Sequence, residues 1–174
     1  MSQREFENVS LWLDGFAIPQ SASVKNLGVL FDPQLCFDQH VRSITRNAFF
    51  HLRNIEKLTP MLSAADAETL IHAFISSRLD YCNSLFSGLP NSTTRSLQLL
   101  QNAAARLLTR TRKFDHITPI LASLHWPPMT SRSDFKVLLL TYKALHGLAP
   151  SYLKDHIIPY SPFRSLRTSV ATKV

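Results

Sequence analysis

Glycine is scarce, at four residues in 174. That argues against a glycine-rich loop cradling phosphates and against a sandwich with a tight turn every ~10 residues. Cysteine is scarcer still: Cys36 and Cys82 can neither build a disulfide framework nor fill a zinc site by themselves. No run of about eighteen apolar residues occurs, so no segment reads as a transmembrane helix. The opening MSQREFENVS lacks the apolar core of a secretory signal. Catalytic spacings are missing as well. There is no Cys-x-x-Cys, no His-Glu-x-x-His, no Gly-x-Ser-x-Gly, and no two aspartates are adjacent. These absences point to an intracellular, reduced protein that is not a self-contained hydrolase and holds no carboxylate pair for metal-assisted nucleotidyl transfer.

What is present is apolar and basic. Hydrophobic residues make up 45% and charged residues 18%, enough apolar surface to fold around a core. The net charge is +7 and unevenly placed. Residues 1–32 hold two bases and four acids (net −2), and the remainder holds 17 bases and 8 acids (net +9). Twelve of the nineteen bases are arginine, whose planar fork matches phosphate oxygens. Such an excess favours an anionic polymer as partner. No helix pairs a basic face with exposed Trp and Phe, so no membrane partner is expected.

The chain reads as mainly α with a short β start (α+β). Within 1–36, Val9–Leu13 and Phe16–Ile18 flank Asp14-Gly15, a hairpin signal, and Val24–Phe31 reads as a third strand of an antiparallel meander. Residues 37–158 read as five to six helices, and 159–174 as a fraying basic tail carrying Arg164, Arg167 and Lys173. The first helix repeats Val41, Ile44, Ala48, Leu52, Ile55 and Leu58, and stops at Pro60. A second starts at Ser63 with Asp66 three residues on, and carries Leu70, Ile71, Phe74, Ile75, Leu79, Cys82 and Leu85. A third spans about Ser92 to Arg110. A short helix opens at Thr118-Pro119, and a fifth from Thr130 to His146 presents Phe135, Leu138, Leu139, Tyr142 and Leu145 as its core face. One more turn is expected between Tyr152 and Ile158.

Arg42, Arg46, Arg53 and Lys57 fall within roughly 60° of arc on the first helix, away from its apolar stripe. This is the strongest candidate for phosphate contact, set against the simpler reading of a solvated face. Arg106, Arg110, Arg112 and Lys113 close the third helix, where cations also complement the helix C-terminus. Among seven histidines, His116 and His125 show no ligand spacing, and His72 shares a helix with Asp80 and Cys82 in a patch read first as partly buried polar residues.

Several segments in order carry a resemblance. VKNLGVLFD, CFDQHV, LIHAFISSRLDYCNSLFSGLP, LQLLQNAAARLLT, DHITPILASLHWPP and DFKVLLLTYKALHGLAPSYL are similar to non-LTR (LINE-type) retrotransposon reverse transcriptases, over about Val9 to Thr168. The resemblance implies a truncated piece of an RNA-directed DNA polymerase. The aspartates that bind catalytic magnesium in that family have no counterpart here, so no catalytic residue and no cofactor are carried over. Val9–Phe31 would be the end of the palm, with Leu27, Gly28 and Val29 in a hairpin near the primer grip. The helices would be the thumb and C-terminal region, which hold a template–primer duplex of RNA and DNA, and the partner domains would be the missing palm and fingers. Pro127 and Ser133 depart from the family pattern, where a leucine and an isoleucine are expected, and Ser133 would weaken the start of the fifth helix.

Three readings compete: an inactive reverse-transcriptase fragment with nonspecific nucleic-acid affinity; a helical protein-interaction module whose basic face is merely solvated; and an enzyme built on His72, Asp80 and Cys82.

Overall fold

The computed structural model describes residues 11–19 and 21–158. Val9, Ser10 and the basic tail 159–174 lie outside the described residues.

Two separate hairpins replace the expected three-stranded meander. The first joins β1 (Leu11–Leu13) to β2 (Phe16–Ile18) through Asp14-Gly15. The second joins β3 (Val24–Asn26) to β4 (Val29–Phe31). The expected strand Val24–Phe31 is broken because Leu27 and Gly28 both take positive φ, 47° and 86°, which reverses the chain in two residues. Leucine there is costly, since its Cβ crowds the carbonyl in the left-handed region. The strain is held by Tyr81, whose hydroxyl donates to the Leu27 carbonyl at 2.6 Å. The Cys82 thiol beside it, then desolvation, push the Tyr81 phenol above its ordinary value.

Helix α1 (Asp38–Leu58) begins where the Asp32 carboxylate gathers three donors: the Cys36 and Phe37 N–H groups and the Cys36 thiol. The thiol contact and the Phe37 N–H hold the Asp32 carboxyl below its ordinary value, and the same carboxylate pushes the Cys36 thiol up. His40 ties the second hairpin to this helix. Its Nδ1 accepts the Leu30 N–H at 3.3 Å, which places the ring proton on Nε2, a buried atom without a partner.

A short 3₁₀ turn (Thr59–Met61) follows, containing Pro60. Ser63 caps α2 (Ala64–Ile71): its Oγ accepts the Asp66 N–H and donates to the Asp66 carboxylate. α2 runs through a π turn at His72–Ser76 into α3 (Ser77–Asp80). The helix expected to reach Leu85 stops here, because Cys82 turns left-handed at φ 52° and a 3₁₀ turn (Asn83–Phe86) follows. α4 (Asn91–Thr109) ends at left-handed Arg110. α5 (Thr118–Ser123), α6 (Met129–Leu145) and α7 (Ser151–Asp155) complete the described chain.

The core is one cluster. Val41, Ala48, Leu52 and Ile55 of α1, with Leu97, Leu100, Ala104 and Ala105 of α4, form its centre. Ile71, Ile75, Leu79, Phe86, Leu121, Trp126 and Met129 close around it. Side-chain amides from α4 hold the far wall: Gln98 Oε1 accepts the Met129 N–H at 2.9 Å, capping α6, and Gln101 Nε2 donates to the Pro127 carbonyl at 2.9 Å. The start of α6 is therefore intact despite Ser133, which is buried with its hydroxyl donating to the Met129 carbonyl.

α6 also corrects the sequence reading. Its buried positions are Met129, Ser133 and Ala144, whereas Phe135, Leu138, Tyr142 and Leu145 are exposed and Leu139 is half-buried. The helix packs on the Asn83–Phe86 turn, and the Ser87 hydroxyl donates to its Asp134 carboxylate at 2.9 Å. The Arg132–Asp80 ion pair, 2.8 Å, and the Gln98 cap set its rotation.

Two outcomes follow from these contacts. Gln101→Ala should cost about 1 kcal/mol in urea denaturation, since it removes the buried amide's bond to the Pro127 carbonyl, which keeps Arg132 Nε as a second donor at 3.2 Å. Burial lowers the His40 pKa below 6.5, so between 6.5 and the folded value the unfolded chain binds more protons and stability falls as pH falls. In His40→Asn, which keeps an acceptor for the Leu30 N–H, that part of the pH dependence should be absent from a series of urea midpoints.

Candidate nucleic-acid interface

The two basic clusters, distant in sequence, meet because α1 and α4 pack side by side and parallel. At their N-terminal ends the Thr93 hydroxyl donates to the Asp38 carboxylate at 2.8 Å. At their C-terminal ends Leu52, Glu56 and Thr59 stand across from Ala103, Leu107 and Arg110 around a depression of about 710 Å³.

Three depressions adjoin one another here: two lie on this seam, and the one between them is walled by α1 alone. The first, about 570 Å³, is lined by Arg42, Arg46 and Arg53 with Phe49 and Phe50 of α1 and Ser96 and Leu99 of α4. The second shares Phe50 and Arg53 with it and adds Glu56 and Lys57. The third shares Glu56 and adds Arg106, Arg110 and Lys113. Seven of the eight candidate bases therefore line one furrow, about 25 Å long at 1.5 Å of rise per residue. Arg112 is exposed beside it. Among the described residues, none of these bases has a carboxylate within 4 Å.

Their environments differ. Arg42, Arg46, Arg53, Lys57, Arg110 and Lys113 are exposed, which leaves their charge free for an outside anion. Arg106 is half-buried and already committed: its Nε and an Nη donate to the carbonyls of Arg112 and Asp115. It positions the loop after α4 and thereby the charges on it. The parallel packing also sets the negative ends of both helix dipoles side by side, where Lys57, Arg110 and Lys113 offset them. Glu56 is the furrow's acid and lowers its local charge.

Phe50 belongs to this surface and escaped the sequence reading. It is 61% exposed and lies between Arg46 and Arg53 in the chain, about 20° past the edge of the basic arc. Extending that arc by one position would have found it. An exposed ring among arginines offers a stacking face beside phosphate contacts.

Leu27 and Gly28 form the exposed tip of the second hairpin, and Val29 is buried beneath it. The segment Leu79–Asn83 ties this hairpin to α6. Leu79 sits in the core, Asp80 pairs with Arg132, Tyr81 holds Leu27, and Asn83 is buried.

The His72, Asp80 and Cys82 patch does not assemble into a site. His72 lies 3.7 Å from Glu68 and edge-on to Trp126, Asp80 is taken by Arg132, and Cys82 sits in the left-handed turn. Among the described residues no three His, Cys, Asp or Glu side chains gather as a metal site.

Arg106→Ala should free the loop from 110 to 117, so its amides exchange hydrogen faster while those at the centre of α4 keep their protection. The stability lost should be about 1 kcal/mol, since the two donated hydrogen bonds are solvent-accessible. Compared with family models, with curated proteins and with solved structures, the chain matches none of them.

Proposed function

We propose that the chain is a fragment of a non-LTR retrotransposon reverse transcriptase whose helical region grips nucleic acid without reading its sequence. The observation that supports this most is the furrow between α1 and α4, into which the packing draws both basic clusters named from sequence. A row of unpaired cations tracks a phosphate backbone, and without hydrogen-bonding groups matched to base edges it fixes position rather than sequence. On this reading a template–primer duplex of RNA and DNA lies along the furrow, with Phe50 against sugar or base faces. The palm and fingers of the full-length enzyme are its missing partners, and the Leu27–Val29 tip is its primer-grip-like element. The aspartates that hold magnesium in that family have no counterpart in this sequence, and the fragment is read as a binding element rather than a polymerase centre. A helical protein-interaction module is the second reading, favoured by the apolar residues that α6 exposes.

Fluorescence anisotropy of an RNA–DNA hybrid across a salt series separates the two. Each phosphate neutralised contributes about 0.9 to the slope of log affinity against log salt. Replacing Arg42, Arg46, Arg53 and Lys57 together by Gln should flatten that slope by about 3 to 4 units. The helical circular-dichroism signal should be unchanged, since all four side chains are exposed. Undiminished binding by that variant would remove the furrow from the account. Absent binding by the wild type would leave the protein-interaction reading.

A further inference from the structure

The outer face of α6 is largely exposed within the described chain, where the Tyr142 ring stacks on His146 at the helix end. Phe135, Leu138, Tyr142 and Leu145 are 64%, 68%, 55% and 48% exposed. Their spacing of three, four and three residues places them within about 80° of arc, the pattern by which one helix seats against another. We propose that two copies of this chain pair through this face, with their α6 helices antiparallel about a two-fold axis near Leu140.

The occupant follows from the order of side chains along the stripe. In an antiparallel pair Phe135 faces Leu145 of the second copy and Leu138 faces its Tyr142. Every layer of the seam then holds one aromatic ring and one leucine, so the layers have equal volume. A parallel pair would stack ring on ring and leucine on leucine, alternating wide and narrow layers. The stripe is thus complementary to itself in one direction only, as an isologous interface requires.

Charge permits the same arrangement. Lys136 and Lys143 lie more than ~100° from the centre of the stripe, so the chain's net positive charge is kept off the seam. Asp134 and Thr141 flank one side, Leu139 and His146 the other. The two Asp134 carboxylates would stand about 18 Å apart along the pair, too far to repel strongly in salt. The four side chains and their neighbours would bury roughly 1,000 Å² over both copies, the low end for a specific interface. The dimer is accordingly a weak one that dissociates in the micromolar range.

Sedimentation velocity of the nuclease-treated protein in about 0.5 M salt, which screens bridging by nucleic acid, tests this. The wild type should pass from monomer to dimer between ~1 and ~200 µM, and Leu138→Glu should stay monomeric throughout. Leu138→Tyr combined with Tyr142→Leu preserves one ring and one leucine per layer, and should dimerise within about fivefold of the wild type. Tyr142→Lys, on a second exposed layer, repeats the disruption independently should Leu138→Glu not fold. A wild type monomeric at ~200 µM, or a dimer that survives a folded disrupting variant, would overturn the proposal.

Discussion

The apolar seam between α1 and α4 is the contact on which the rest of the molecule depends. Val41, Ala48, Leu52 and Ile55 form one helix stripe, and Leu97, Leu100 and Ala104 the other. Alanines at 48 and 104 allow close approach, and leucines at 52, 97 and 100 fill the space around them. Because the two helices run in the same direction, the packing also decides what lies outside the seam. It aligns both rows of arginine along one furrow and sets both helix C-termini at one end.

A second set of links is polar and sparse, and each does a defined job. Gln98 and Gln101 extend from α4 to the linker before α6, where Gln98 satisfies the buried Met129 N–H and Gln101 shares the Pro127 carbonyl with Arg132. Asp80 reaches Arg132, and Tyr81 reaches the strained tip at Leu27. Four consecutive residues, Leu79 to Cys82, thus serve core, helix α6, hairpin and turn in succession. Their order cannot be changed without breaking one of those links, which gives the LDYCN segment a physical role that needs no reactive chemistry. Among the described residues the first hairpin has no comparable anchor, and Leu11, Trp12, Leu13 and Phe16 are all exposed.

Helical periodicity was a sound guide wherever one helix face is buried and the other wet. It placed α1, α4 and α5 within a residue or two and the start of α2 at its Ser63 cap, whose Asp66 partner was legible in four letters. It failed where local backbone chemistry overrode pattern. Leu27-Gly28 looks like the middle of an apolar strand, yet it reverses the chain because Gly28 accepts the positive φ and Tyr81 holds the leucine. Cys82 sits in register with the helix before it and still leaves that helix. For α6 the pattern correctly marked an apolar stripe but assigned it to the core. Burial went instead to the small residues Ser133 and Ala144.

Composition and local spacing were therefore sufficient for a largely helical chain with a β start, for most of its helix boundaries, and for two clusters of positive charge. Those properties depend on residues within a few positions of one another, which a linear reading sees. Which faces meet depends on contacts between residues about fifty apart, such as Asp38 with Thr93 or Asp80 with Arg132. Only the tertiary structure decided that the two basic clusters share a furrow, that Phe50 lies in it, and that the most apolar face of α6 points outward. Each is a consequence of the parallel seat of α1 on α4 and of the polar ties that orient α6, neither of which any local pattern encodes.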